Sequence, residues 1–218
     1  MAATYFPEIF DVQTPEQARE IILTGEGSST DERWRVETPY VADLIAETIA
    51  LTAESIVVDY GCGIGRLAKE LIARHGCRVV GVDISARMRA LAIEYVQSDR
   101  FMSCAPDMFD GLLARGFTAD AAISVWVLQH CLKPAEDIAR SDKALAPHGR
   151  LFVLNNLRRA VPTREHAWMS DGIDIRATLG THFAVMREGK PPEDITPQDL
   201  LDIIFWGFYA KRPARTPG

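Results

Sequence analysis

One short turn constrains this chain more than any other feature. Residues 56–67 read Ile-Val-Val-Asp-Tyr-Gly-Cys-Gly-Ile-Gly-Arg-Leu, an apolar strand that ends in an acid and continues through a glycine-rich turn into a helix. A turn of this kind lets a ligand approach the backbone closely. A dinucleotide-binding turn, G-x-G-x-x-G, would need glycine where Arg66 stands, and a P-loop would need G-K-[ST] after the glycines. The spacing therefore argues against the first and excludes the second.

Apolar runs and helical patterns alternate along the chain. The short, largely β-branched runs span residues 55–60, 78–82, 101–104, 121–127 and 150–154. Between them, residues 64–75, 86–96 and 135–146 carry apolar side chains at three- and four-residue spacing, which is typical of helices. This alternation predicts a parallel sheet with helices on both faces.

Three Thr-Pro pairs, at residues 14–15, 38–39 and 196–197, predict helix starts. Thr can accept the first free backbone N–H bonds, and Pro fits the first helical position. Two helices would then precede the first strand. Residues 28–34 would join them, and this joint is a candidate lid.

The glycine turn resembles the first motif of class I S-adenosylmethionine-dependent methyltransferases, in particular the small-molecule, methyltransferase-type-11-like members. The similarity extends to Gly-Val-Asp-Ile-Ser at 81–85 and to Cys-Ala-Pro-Asp-Met-Phe at 104–109. These segments are similar to the family's second- and third-strand motifs. The resemblance covers residues 55–156, and several motifs in order are far more specific than a lone glycine turn.

The resemblance implies that S-adenosylmethionine is the cofactor. Asp83 would hold the two ribose hydroxyls, Asp107 would accept from the adenine amino group, and Met108 would cover the ring. The cofactor-binding residues that it implies are Asp59, Gly61, Gly63, Gly65, Asp83, Ile84, Met88, Asp107, Met108 and Val125. Taken singly, the glycines could form an ordinary turn and the acids could cap helices, but their joint spacing favours the functional interpretation.

The family also implies a fold. We expect an α/β, Rossmann-like three-layer sandwich with a seven-stranded, mostly parallel sheet whose last strand is antiparallel, plus N-terminal helices. The candidates for the last two strands are residues 182–187 and 206–211. We expect a single domain, 1–218, in which 1–54 form the N-terminal helices and lid and 155–195 form a substrate-region insertion.

Methyl transfer from a sulfonium is an in-line displacement that needs a base only when the acceptor is protonated at neutral pH. His130 follows the fourth strand, where ligands of open parallel sheets bind, and it is the candidate base. A histidine that bridges a loop is the more common alternative. Trp126 ends the same strand, and it would either line the acceptor site or belong to the core.

Acceptor choice is expected to lie in residues 155–190. Arg158 and Trp168 are candidate substrate residues there, among a group that also includes Arg159, Arg164, His166 and Arg176. An arginine fork suits a carboxylate or phosphate, which would make the acceptor an anionic small molecule. Solvated surface charges are the simpler interpretation, and we favour it.

Composition excludes several other classes of function. The net charge of -6 argues against nucleic-acid binding, and no apolar run has the roughly 20 residues of a membrane span. The four cysteines form no metal or redox motif, so no metal is expected. We expect a soluble, cytoplasmic protein that acts on a small molecule as a monomer or a homodimer, the latter through the apolar residues 200–208.

Two competing hypotheses remain beside the methyltransferase. A non-catalytic binding or regulatory module could keep the fold and the cofactor. Aminopropyl transfer would need an acidic polyamine pocket near the fourth strand, and residues 124–127, Ser-Val-Trp-Val, supply no carboxylate. The sequence therefore ranks aminopropyl transfer last.

Overall fold

A central sheet of seven strands organises the chain. The computed structural model describes residues 4–25, 29–165, 168–196 and 198–212. The strands are β1 (Ile56–Tyr60), β2 (Arg78–Val82), β3 (Phe101–Cys104), β4 (Ala119–Val125), β5 (Leu145–Asn156), β6 (Phe183–Gly189) and β7 (Ile204–Lys211). Their order is β3-β2-β1-β4-β5-β7-β6, and β7 runs antiparallel to both of its neighbours. The expected mostly parallel sheet with an antiparallel last strand is confirmed.

Over the described residues, seven α-helices lie against this sheet. They are α1 (Pro15–Ile22), α2 (Thr30–Thr48), α3 (Arg66–His75), α4 (Ala86–Val96), α5 (Pro106–Ala114), α6 (Pro134–Ala144) and α7 (Ile175–His182). Short 3-10 helices span Pro7–Phe10 and Gln198–Leu200. Over the described residues, none of the helices is both long enough and apolar enough to cross a membrane.

The helices cover both faces of the sheet, as predicted. Neighbouring strand residues point to opposite sides, so Val57 packs with α2, α3 and α4 while Val58 packs with α5, α6 and α7. Both valines are fully buried. Strands buried on both faces lose the polar alternation of a half-exposed strand, which explains the continuous apolar runs of the sequence.

The predicted helix start at Thr38 is wrong. Helix α2 begins eight residues earlier, because Ser29 caps it by accepting from the backbone N–H of Glu32, and Pro39 lies inside the helix. The proposed joint at 28–34 is therefore helical from Thr30 onward, and residues 26–28 lie outside the described part of the chain.

The other two Thr-Pro pairs differ in outcome. Thr14 caps α1 by accepting from the backbone N–H of Gln17 at 3.3 Å, which confirms that start. At the third pair, Pro197 lies outside the described residues, and the described residues after it form the short 3-10 helix Gln198–Leu200 and then β7, not an α-helix.

The N-terminal segment, residues 4–13, crosses the edge where the parallel strands end. At its start, Phe6 donates its backbone N–H to Pro162, and Thr4 accepts from the backbone N–H of Arg164. Further along, Asp11 accepts from the Ser85 hydroxyl at 3.0 Å. This segment, and not the expected joint, therefore spans from the loop after β5 to the loop after β2.

Candidate cofactor and acceptor site

A cavity of about 510 Å³ opens at the carboxyl edge of the parallel strands. Its size is within the range of about 300–1,000 Å³ that is usual for small-molecule sites. It brings together most of the site residues that the sequence predicted. Those that line it are Asp59, Gly61, Gly63, Asp83, Ile84, Met88, Val125, Trp126, His130 and Trp168. Of the remaining predicted residues, Gly65, Asp107, Met108 and Arg158 do not line it.

The glycine turn takes a backbone shape that other residues would resist. Gly61, Gly63 and Gly65 have φ angles of +79°, +52° and +79°. A Cβ at Gly65 would lie 2.4 Å from Cγ2 of Val96 on α4, and a Cβ at Gly63 would lie 2.6 Å from Cδ1 of Ile22. The turn therefore depends on glycine both for its conformation and for close helix packing.

Asp83 holds the turn in place from the neighbouring strand. Its Oδ2 accepts from the backbone N–H of Gly63 at 2.8 Å, and its Oδ1 accepts from the backbone N–H of Ser85 at 2.9 Å. Burial raises the pKa of the Asp83 carboxyl, although both hydrogen bonds oppose that shift. The two oxygens are thus fixed at the cavity wall between the turn and the loop after β2.

Asp59 is buried at the end of β1 and lines the cavity. Burial raises the pKa of its carboxyl to about 7, and the positive charge of Arg66 offsets part of this effect. Arg66 begins α3 directly after the glycines, and its side chain extends to α2, where it donates to Thr38 and Glu37. This orientation explains how a large residue fits at that position.

A buried ionic network behind the turn was not predicted. Glu37 of α2 accepts from Arg33 at 2.9 Å, from Arg66 at 3.1 Å and from the indole Nε1 of Trp126 at 2.8 Å. Arg33 and Arg66 are each only 4% exposed, so two guanidinium groups share this carboxylate away from water. The i,i+4 spacing of Arg33 and Glu37 on one helix was the signal in the sequence, but the misplaced helix start hid it.

Trp126 is the first residue after β4, and it lines the cavity. Its φ of 62° is in the left-handed region, which is uncommon for a bulky residue, so β4 ends at Val125 and the predicted strand 121–127 is two residues too long. The indole bond to Glu37 holds this conformation. A strained backbone of this kind is found most often at functional sites.

Of the adenine-side candidates, Ile84 and Met88 line the cavity, whereas Asp107 and Met108 do not. Ile84 is 52% exposed and Met108 is 61% exposed. Met88 is buried among residues of α1 and α4. Asp107 is in the first turn of α5 and accepts from the backbone N–H of Met108.

His130 is partly buried and lies beside two aromatic rings. Its centroid is 5.0 Å from that of Trp168 and 5.8 Å from that of Phe10. Nδ1 is 2.7 Å from the carbonyl oxygen of Ala160, which can only accept, so Nδ1 carries the proton. Nε2 then accepts from the side-chain amide of Gln129 at 3.2 Å, and burial lowers the pKa of the imidazole.

The arginines after β5 do not form a shared anion site. Arg158 is exposed, whereas Arg159 is buried and forms an ion pair with Asp171. Arg176 pairs with Glu188, and Arg164 lies 3.9 Å from Glu8. His166 lies outside the described residues. In the described part of the chain, no group of His, Cys, Asp and Glu side chains could hold a metal ion.

Comparison with known families decides the class of protein. A family model described as a methyltransferase domain matches residues 33–188, well over half of the chain. The chain belongs to the S-adenosylmethionine-dependent methyltransferases. Family membership also identifies S-adenosylmethionine as the cofactor of this methyltransferase. No curated protein matches its sequence significantly.

Solved structures share the fold of the methyltransferase. The PH0226 protein from Pyrococcus horikoshii OT3 has a TM-score of 0.62 at 19% identity, over 92% of this chain and 100% of that one. A geranyl diphosphate C-methyltransferase from Streptomyces coelicolor A3(2), in complex with Mg²⁺, geranyl diphosphate and S-adenosyl-L-homocysteine, has a TM-score of 0.63 at 14% identity, over 97% and 91%. The [4+2]-cyclase SpnF has a TM-score of 0.61 at 15% identity, over 98% and 88%.

The packing of the glycine turn predicts unequal effects at two glycines. Gly65→Ala and Gly116→Ala both place a side chain at a positive φ, +79° and +85°, which costs about 1–2 kcal/mol. At Gly116 nothing lies within 4 Å of the new Cβ, whereas at Gly65 it meets Val96. We therefore expect Gly65→Ala of the methyltransferase to lose about 1–3 kcal/mol more free energy of unfolding. Equilibrium urea denaturation measures both variants, and equal losses would contradict the packing argument.

Proposed function

We propose that the protein transfers a methyl group from S-adenosylmethionine to a small-molecule acceptor by in-line displacement. The observation that carries this proposal is a continuous cavity with two chemically different ends. Asp83 follows β2, while His130 follows β4 and Trp168 lies beyond β5. Because β1 and β4 separate β2 from β5 in the sheet, the Asp83 side and the Trp168 side lie at opposite ends of the cavity.

The Asp83 end fits the nucleoside of the cofactor. Each carboxylate offers about four acceptor positions, so Asp83 can accept two ribose hydroxyls while it keeps its bonds to Gly63 and Ser85. Ile84 lines the cavity and would cover the adenine ring, while Asp107 and Met108 do not line it and would reach the ring from the start of α5. We propose these roles, with Met88 and Val125 as further apolar walls.

The buried network fits the amino-acid part of the cofactor. Arg33 lines the cavity, and its Nε is buried without a hydrogen-bond partner among the described residues. Arg33 and Arg66 share the carboxylate of Glu37, so this region holds a donor that a further carboxylate would satisfy. We propose that Arg33 binds the carboxylate of the methionine moiety.

The chain itself aligns the acceptor and excludes water. When bound, S-adenosylmethionine supplies a methyl group on a sulfonium, which is a good leaving group. Residues 4–13 cross the open edge and contact the loops on both sides, which limits access of water. Trp126 and Trp168 are proposed acceptor contacts, whereas Arg158 does not line the cavity and loses support as one.

His130 is the proposed base for a protonated acceptor. With its proton on Nδ1, the lone pair of Nε2 is available on the cavity side once the acceptor displaces the Gln129 amide. A neutral imidazole is needed for this role, and burial lowers its pKa in the required direction.

Domain organisation and location complete the proposal. We propose one domain over 1–218, with a cover from the N-terminal 54 residues and acceptor selection by residues 155–195. Four free cysteines among the described residues agree with a reducing, cytoplasmic location. A monomer or a homodimer is proposed as the oligomeric state.

Calorimetric titration tests the cofactor assignment. We expect S-adenosylmethionine and S-adenosylhomocysteine to bind with micromolar affinity, because Asp83 and the glycine turn are preorganised, and NAD not to bind. Asp83→Ala should abolish or strongly weaken binding, while Asp99→Ala, an exposed carboxyl away from the cavity, serves as the matched control. Absence of binding by the wild type would refute the enzymatic proposal. Binding without methyl transfer to any acceptor would favour a binding or regulatory module.

The state of His130 can be measured directly. In a pH titration followed by NMR of ¹³C-labelled histidine, we expect the pKa of His130 to lie below the ordinary 6.5, with His130→Gln identifying its signal. Because the unfolded chain then binds more protons below pH 6.5, His130 also makes the free energy of unfolding fall as the pH falls through that range. A pKa at or above 6.5 would count against a neutral base.

A further inference from the structure

The outer end of the cavity is an aromatic surface. Phe10, His130 and Trp168 come from three separate parts of the chain, and their ring centroids are 5.0–6.4 Å apart. Trp168 nevertheless keeps 45% of its surface exposed. A large ring that lines a cavity and is only half covered offers a face on which a planar molecule can stack.

The charged groups at this end already have partners. Arg159 bonds to Asp171 and to the backbone carbonyls of Leu128 and Cys131. Two further cations close to the cavity are also paired, as Lys133 with Glu136 and Arg140 with Asp137. At this outer end of the cavity, an acceptor with a net charge would therefore find its possible counter-ions among the described residues already paired, and burying it there would be costly.

One polar atom at this end lacks a partner. Asn156 is the last residue of β5 and lines the cavity, and its Oδ1 is buried with no hydrogen-bond partner in the part of the chain that the structure describes. A buried carbonyl oxygen without a donor costs about 1–3 kcal/mol. A ligand that carries an O–H or N–H group would remove this cost.

From these observations we infer that the outer end of the cavity binds an uncharged, planar molecule, which stacks on Trp168 and donates an O–H or N–H hydrogen bond to Asn156. This inference rests on the proposed function, since it names the chemical class of the acceptor. It differs from the anionic acceptor that the arginines in the sequence suggested.

A matched set of naphthalenes tests charge and hydrogen bonding separately. Equilibrium dialysis of the full chain, loaded with S-adenosylhomocysteine, measures binding of 1-naphthol, naphthalene, 1-naphthoate and 1-naphthylmethylammonium. We expect 1-naphthol to bind at least about tenfold more tightly than either ion, because of the cost of burying an unpaired charge. Tighter binding of the anion or of the cation, or no binding of 1-naphthol, would overturn the inference.

Two variants assign the contacts. Asn156→Leu should weaken 1-naphthol binding about five- to tenfold and leave naphthalene binding unchanged, because naphthalene has no donor. Trp168→Ala should weaken both ligands, and the exposed Arg158→Ala should change neither, nor the binding of 1-naphthoate. Naphthalene binding reports whether the site is intact, so loss of both ligands in Asn156→Leu would indicate misfolding. In that case Asn156→Ala takes its place, and it should weaken 1-naphthol binding while it leaves naphthalene binding unchanged. Equal weakening of both ligands in a folded variant would overturn the role of Asn156.

The same measurements without S-adenosylhomocysteine separate this inference from the proposed function. If the cofactor product does not bind but the unloaded chain prefers 1-naphthol with the same dependence on Asn156, the methyltransferase proposal fails and the aromatic site stands. If the cofactor product binds and no preference for 1-naphthol is found, the inference fails alone.

Discussion

A single buried carboxylate, that of Glu37, joins three parts of the chain at the cavity. It binds Arg33 on its own helix, Arg66 at the start of the helix after the glycine turn, and Trp126 at the end of β4. Burying a cation away from water is costly unless an anion is close, and Glu37 is the carboxylate to which both arginines bond. Glu37 therefore links α2, the start of α3 and the left-handed backbone at Trp126.

The sheet could be predicted because its signal is local. Strands buried on both faces are continuously apolar, and β2, which is buried at four of its five residues, matches its predicted residues in full. β3 also matches its predicted residues, although it lies at the edge of the sheet and exposes Met102. The start of α2 was missed because two local signals compete in the sequence. Ser29 and Glu32 have the spacing of a helix-capping pair, but the pair Thr38–Pro39 resembles a helix start as well, and only packing of the whole helix on the sheet selects the first.

The residues of the candidate site also divide into those that the sequence indicated and those that it did not. Residues carried by a motif, such as Asp83 and the glycines, lie at strand ends, and the topology then places them together. The contacts of Glu37 with Trp126 and of Phe10 with His130 join residues that are far apart in sequence, and no spacing rule indicates them. The sequence also does not indicate which of two adjacent arginines is buried. Arg159 is buried in an ion pair, while its neighbour Arg158 is exposed.

The central claim is that the cavity holds the nucleoside at Asp83 and the amino-acid end of the cofactor at the network around Glu37. Calorimetric comparison of S-adenosylhomocysteine with 5′-methylthioadenosine tests it most directly, because the second compound has the nucleoside but lacks the amino acid. A charge-assisted hydrogen bond is worth about 1.5–3 kcal/mol, so the account predicts that S-adenosylhomocysteine binds at least about tenfold more tightly. Equal affinities of the two compounds would contradict it.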